Sequence, residues 1–263
     1  MPDKSLTYSR YLCLDALLSQ QQPRSDGPEH DETLFIIIHQ VYELWFKQIL
    51  HELDALTAAL DRGRTVAALA TLKRILTILK TLVAQVDVLE TMTPLSFNAF
   101  RARLDASSGF QSAQFRQLEF RLGHKRRSVM VHYAPDSAEH AALERAWAAP
   151  ALYDHVLRYL AGQGHAVPAE VLGRDVTQRY AGSAAVQALL VGLYQSDDFA
   201  AQICERLVDL DEGLQEWRYR HVKMVERTIG SKRGTGGSDG AAYLRGTLFE
   251  PLFVDLWAIR AQL

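Results

Sequence analysis

The chain has only two cysteines in 263 residues, Cys13 and Cys204, and neither has the short spacing of a zinc site or a disulfide framework. Each sits in an apolar helical pattern, which predicts two buried free thiols. No uninterrupted apolar run is long enough to cross a bilayer, and the opening MPDKSLTYSR lacks an apolar core of signal-peptide length. These absences predict a cytoplasmic protein with no membrane partner. Excess charge of one sign is missing too. With 29 basic and 31 acidic side chains and a pI near 6.5, the chain lacks the basic footprint that a phosphate backbone requires, which argues against nucleic acid.

Several catalytic signatures are also absent. There is no HExxH pair, and no Glu-x-x-His pair on two helices of the di-iron kind. Ser108-Gly109 is not part of a G-x-S-x-G elbow. The glycines at 234–240 lack both a preceding strand and the Lys-Ser/Thr of a phosphate loop. No stretch alternates apolar and polar residues for long enough to form a sheet of any size.

What remains is helical periodicity in a composition, 48% hydrophobic and 23% charged, ordinary for a globular protein. From Thr33 to Asp61, apolar residues recur at three-to-four spacing through Leu34, Ile38, Val41, Trp45, Ile49, Leu53, Leu56 and Leu60. A second stripe runs from Thr65 to about Met92, with a stop at Thr93-Pro94, where the residue before proline disfavours helix. Arg62-Gly63-Arg64 breaks the two and predicts an antiparallel pair. Further helices are predicted over 95–104, 113–123, 138–146, 150–161, 184–194 and 199–228. The fold class is therefore all-α, a helical bundle, at a length that leaves open one large core or two small ones. Its exceptions are a polar loop from Gln20 to Asp31 and a glycine-rich stretch from Gly230 to Gly240, read as mobile or able to approach a ligand closely.

Nine histidines are the candidates for chemistry. His39 falls between Ile38 and Val41 in the most apolar part of the long helix, one turn after Phe35 and one before Glu43. A histidine in such a place packs or hydrogen-bonds in a core more often than it catalyses. His221 shares a helical face with Trp217, Met224, Val225 and Thr228. That setting suits an axial haem ligand, but with no spacing signature a packed core imidazole is the commoner occupant of such a place. Asp31 and Glu32 are read as first-turn acids that complement the helix dipole rather than as metal ligands. His124, His132, His140, His155 and His165 lie in polar or loop contexts and carry no site hypothesis.

Three blocks of sequence resemble the tryptophan 2,3-dioxygenase family. The first is YSRYLCLDALL (8–18) with HDETLFIIIHQVYELWFKQ (30–48); the second is MTPLSFNAFR (92–101) with SGFQSAQFR (108–116); the third is WRYRHVKMVERTIGSKRGTGG (217–237). They follow the family's order from one end of the chain to the other. The resemblance implies a haem pocket in the helical core, with one haem b per subunit, ferrous when active. It also implies a homotetramer built as a dimer of dimers, and the conversion of L-tryptophan and O2 to N-formyl-L-kynurenine, the first step of the kynurenine route.

By the same resemblance His221 is the axial iron ligand, and Ser108 and Gly109 line the haem edge. His39 is the catalytic histidine that holds the indole N–H. Phe35 and Phe97 pack on the indole, Arg101 takes the carboxylate, and Thr235 in the 230–240 loop closes over the polar end. Phe97 stands where some bacterial relatives carry tyrosine, which leaves the carboxylate more dependent on Arg101. Tyr8, Tyr11 and Leu12, within the N-terminal segment 1–31, reach the pocket of a neighbouring subunit.

Overall fold

The longest periodic stretch of the sequence becomes the longest helix of the computed structural model, which describes residues 5–105, 107, 109–196, 198–232 and 241–263. This helix, α1, runs from His30 to Asp61, three residues earlier than the apolar pattern begins. Asp31 and Glu32 lie in its first turn as predicted. Glu32 also has a role that the dipole argument does not contain. Its carboxylate is 1% exposed and accepts from the backbone N–H of Arg24 (2.6 Å) and of Ser25 (3.0 Å), and from the Ser25 hydroxyl, tying the polar loop to the helix.

Gly63 ends α1. It takes φ +65°, its N–H donates to Leu60 O at 2.9 Å, and the Arg64 N–H donates to Ala59 O at 2.8 Å, the paired bonds of a Schellman stop. The next helix, α2, spans Thr65–Leu89 and stops short of the predicted Thr93-Pro94 boundary. The reason is that Thr93 starts a helix. Its hydroxyl accepts from Ser96 N at 3.1 Å and Pro94 occupies the first turn of α3 (Pro94–Arg101), where a missing N–H costs nothing.

The remaining main helices are α4 (Ala113–Leu122), α5 (Ala138–Ala148), α6 (Leu152–Gly162), α7 (Ala184–Gln195) and α8 (Ala201–Ile229). Ser112, Ser137 and Ser183 cap the starts of α4, α5 and α7 through their hydroxyls. Short helices at Tyr8–Tyr11, Leu14–Leu18, Ala169–Leu172, Ala241–Arg245 and Val254–Ala258 escape periodicity, because four or five residues make little more than one turn. The fold is all-α, with no strand among the described residues. None of their helices is long and apolar enough to cross a membrane.

Side-chain bonds fix how the long helices run. Tyr42 OH donates to Leu82 O, Gln85 Nε2 to Ile38 O, and Arg74 Nη1 to the Glu52 carboxylate, so residue numbers rise on α1 as they fall on α2. The two helices are the predicted antiparallel pair. On the other side Arg220 pairs with Asp87 and Arg227 with Glu90, while Gly213 abuts Leu79; α8 therefore runs parallel to α2. Leu56, Leu72, Leu82, Ile203 and Leu207, none more than 2% exposed, fill the core between these helices.

Two carboxylates without contact with water hold the C-terminal segment in place. Asp211 on α8 accepts from the Leu252 and Phe253 N–H groups and from Trp257 Nε1. Asp255 accepts from Tyr153 and Tyr180 hydroxyls, from Ser183 N and from Gln187 Nε2. The cysteine expectation holds for one thiol only. Cys204 is buried in α8 and burial pushes it up to about 12, but Cys13 is exposed. It sits at φ +51° between the two N-terminal helical turns, so the apolar pattern around it is not part of the core.

Gly213 marks a close approach of α8 to α2, since a Cβ there would stand 2.8 Å from Leu79 Cδ2. Helix propensity alone favours alanine by about 1 kcal/mol, whereas overpacking a filled core costs about 1–3 kcal/mol. Gly213→Ala is expected to lower the denaturant midpoint. A raised midpoint would mean that Leu79 yields freely.

Candidate active site

His39 and His221 lie on different long helices, α1 and α8, and both line one cavity of about 240 Å³. Both residues are only partly exposed, and both line this cavity. Burial therefore dominates their acidity. His221 is pushed down to about 4, by burial first and by His39 second, which puts the two imidazoles within electrostatic reach of each other. Burial also lowers His39, partly opposed by its bond to Phe35 O and by the Glu43 carboxylate. Both rings are neutral near pH 7.

Their surroundings differ. His39 Nδ1 stands 2.7 Å from the Phe35 carbonyl, which can only accept, so Nδ1 carries the proton and Nε2 is left as an acceptor. Phe35 lies 4.1 Å from the His39 ring, 5.7 Å from Phe97 and 5.5 Å from Phe100, which makes an aromatic cluster at the start of α1 and along α3. His221 makes no hydrogen bond among the described residues and instead stacks on Trp217, with ring centroids 5.4 Å apart and planes 27° apart. Phe46, Tyr42 and Phe115 crowd the same tryptophan. The helical face read from sequence is the one observed, because Trp217, His221, Met224, Val225 and Thr228 all line the cavity.

The other candidates divide into three groups. Phe35, Phe97, Arg101 and Gly109 line the cavity with the two histidines. Tyr8, Tyr11 and Leu12 are 75%, 70% and 40% exposed and take no part in its wall within this chain. Ser108 and Thr235, with the rest of the 233–240 stretch, lie outside the described residues. No group of three or more His, Cys, Asp or Glu side chains stands ready to cage a metal ion among the described residues, whereas an axial position on a porphyrin needs a single imidazole.

A charged wall escaped the sequence reading. Arg116 and Arg218 both line the cavity although each is only 5% exposed, and both bond to Glu119, at 2.6 Å and 3.1 Å. Burial alone would raise the Glu119 pKa, but Arg116, Arg126 and Arg218 together hold it below the ordinary value. The signal was present in QFRQLEF, where Arg116 and Glu119 fall at i,i+3 among the apolar residues of α4 rather than on a solvated face. His124 lies in the loop after α4, as read from sequence, but is 3% exposed against Arg218 and is pushed down to about 3 by burial and then by Arg218.

Comparison with known proteins decides the lineage of this site. The sequence profile of the tryptophan 2,3-dioxygenase family matches residues 2–146 and 169–263. The chain belongs to the tryptophan 2,3-dioxygenase family. A tryptophan 2,3-dioxygenase of Herpetosiphon aurantiacus is 60% identical over 260 residues, 99% of each chain. One from Anaeromyxobacter sp. strain K is 61% identical over 259 residues, 98% of this chain and 97% of that one. A third, from Kineococcus radiotolerans, is 44% identical over 263 residues. Membership in the tryptophan 2,3-dioxygenase family thus extends over the whole chain, and the paired histidines of the cavity fall inside the matched spans.

The buried neutral His124 makes stability depend on acid. Its folded pKa of about 3 lies below the ordinary 6.5, so the unfolded chain binds the extra proton between those values and stability falls as pH falls through that window. His124→Gln should flatten the pH dependence of the unfolding free energy there by about 1.4 kcal/mol per pH unit at most. Identical slopes for the two proteins would show that His124 is not held neutral.

Proposed function

We propose that this chain is a haem enzyme that opens the indole ring of L-tryptophan at the C2–C3 bond with O2, giving N-formyl-L-kynurenine. The observation that carries this reading is the pair of neutral, differently anchored imidazoles, His39 and His221, on one largely apolar cavity. Those residues fit a porphyrin. His221 offers an unprotonated nitrogen inside the fold, its ring braced by Trp217, and aromatic side chains give the cavity flat apolar surface. When bound there, ferrous haem b supplies the oxygen binding and redox chemistry.

The rest of the work falls to the chain's own side chains. His39 Nε2 accepts the indole N–H, a role for which its Phe35-bound tautomer is already set. Phe35 and Phe97 clasp the indole faces, and Arg101 at the end of α3 takes the carboxylate through its fork of donors. With phenylalanine at 97 no hydroxyl shares that carboxylate, so the Arg101 contribution is larger. Thr235, in the 230–240 loop, belongs to the same proposal as the residue that closes on the amino acid's polar end, with Ser108 and Gly109 at the haem edge. Fixed positions and exclusion of water are the protein's share of catalysis.

The same proposal includes a homotetramer, with one haem per subunit, in which Tyr8, Tyr11 and Leu12 of the N-terminal segment reach a neighbouring pocket. Their exposure in the single chain supports it. A single catalytic domain over 1–263 and a cytoplasmic location complete it. The deciding experiment is the absorption spectrum of the ferrous protein with and without L-tryptophan, followed by product analysis. Formylkynurenine supports the reading, and a mono-oxygenated tryptophan would replace it with a hydroxylase.

His221→Ala is expected to strip the pigment from the purified protein; haem content equal to wild type would contradict the axial assignment. Arg101→Ala should raise KM for tryptophan by about 10- to 100-fold, from the ~1.5–3 kcal/mol that charge-assisted hydrogen bonds contribute. An unchanged KM would put the carboxylate elsewhere.

A further inference from the structure

Beside the main cavity lies a second, smaller void of about 30 Å³. Side chains of α1, α2, α4 and α8 line it, among them Ile49, Ile75, Leu79, Leu118 and Leu210. Phe46, Phe115, Trp217 and Glu119 line both spaces, so the partition between them is built from three rings and one carboxylate. The rings stand against one another, with centroids 5.4 Å apart for Phe46 and Phe115, 6.2 Å for Phe46 and Trp217 and 5.0 Å for Phe115 and Trp217. Trp217 also stacks on His221, which puts the void one ring away from that imidazole.

The lining decides what this void can hold. A single water needs only about 10–15 Å³, so room is not the constraint. Polar partners are, because a buried water takes roughly two to four hydrogen bonds. The only polar side-chain atoms on the lining belong to Glu119 and Trp217. Both Glu119 oxygens are engaged, Oε2 by Arg116 and Oε1 by Arg126 and Arg218, and Trp217 Nε1 is a single donor. The rest of the lining is aliphatic or aromatic, and all of it is buried except the half-buried Phe115. Such a space stays dry. A small apolar molecule loses nothing there by lacking hydrogen bonds, and it gains dispersion contacts on every side.

We propose that this void takes up dioxygen from the reaction cavity and returns it, as an internal docking place for the gaseous substrate. The inference rests on the haem and tryptophan reading above, in which dioxygen is the one small apolar reactant. A ligand of two heavy atoms binds no tighter than roughly millimolar, so the gas exchanges rather than being trapped. Passage between the two spaces needs a side chain of the partition to swing, not a movement of the helices.

The test uses the full chain and xenon, an apolar atom that diffraction locates directly. Crystals of wild type, Leu118→Phe and Ile75→Phe are pressurised with the gas; both residues line the void and neither lines the main cavity. Wild type is expected to hold xenon among Ile49, Ile75, Leu79 and Leu118, and each filled variant to lose it. The variants fill the void from α4 and from α2, so either one carries the comparison if the other does not fold. An empty void in pressurised wild type overturns the site. The second arm follows carbon monoxide, a photolabile stand-in for dioxygen, after a laser flash detaches it from the ferrous, haem-loaded protein. Gas that docks in the void returns in a slow geminate phase, and both xenon pressure and Leu118→Phe should remove that phase. Absence of the phase in wild type, or a phase that neither change alters, means that the void does not share gas with the reaction cavity and overturns the dioxygen assignment. Protein that takes up no haem overturns the reading above and the dioxygen role with it, whereas xenon occupancy needs no haem and reads the site by itself.

Discussion

Three long helices share one apolar surface, and the position of everything in the cavity follows from how closely they can approach it. Helix α2 lies between α1, which runs against it, and α8, which runs with it. Gly213 lets α8 settle onto Leu79, and Tyr42 spends its hydroxyl on a carbonyl of α2. Because α1 and α8 are both registered on the same helix, the positions of His39 and His221 relative to each other are set by core packing rather than by any bond between them. Interiors packed at crystal-like density do not deform continuously, so this spacing is stiff.

Burial gives the two imidazoles the same charge state, and local bonding gives them different tasks. A carbonyl one turn earlier locks the tautomer of His39 and aims a lone pair at whatever enters. His221 has only the face of Trp217 against it and keeps its nitrogen donors uncommitted among the described residues. This asymmetry is what a site needs when one imidazole must hold a cofactor and the other must orient a substrate. The charged wall adds a third element. Glu119 draws together α4, the turn that follows it and α8, so the helix carrying His221 is held by ion pairs near its middle as well as by apolar packing.

Much of this was legible before any coordinates. The spacing of Trp217, His221, Met224, Val225 and Thr228 placed them on one face, and all five line the cavity, because a helix turns a linear repeat into a surface without outside help. The break at Arg62-Gly63-Arg64 and the antiparallel pair around it were read from three residues. Cys13 was misread and the burial of His124 went unforeseen for a common reason. Whether a residue near a helix end is buried depends on what packs over it, and that comes from segments distant in sequence: for His124, residues 218 and 250.

The sequence by itself determined the long helices, their apolar faces and the candidacy of His39 and His221, since these depend on contacts three or four residues apart. Only the tertiary structure decided that the two histidines share a cavity, that Glu119 sits among three arginines, and that Glu32, Asp211 and Asp255 are buried anchors. Those facts depend on desolvation and on partners far along the chain, such as the 102 positions between Tyr153 and Asp255, and no local pattern encodes which distant surface will exclude water from a given side chain.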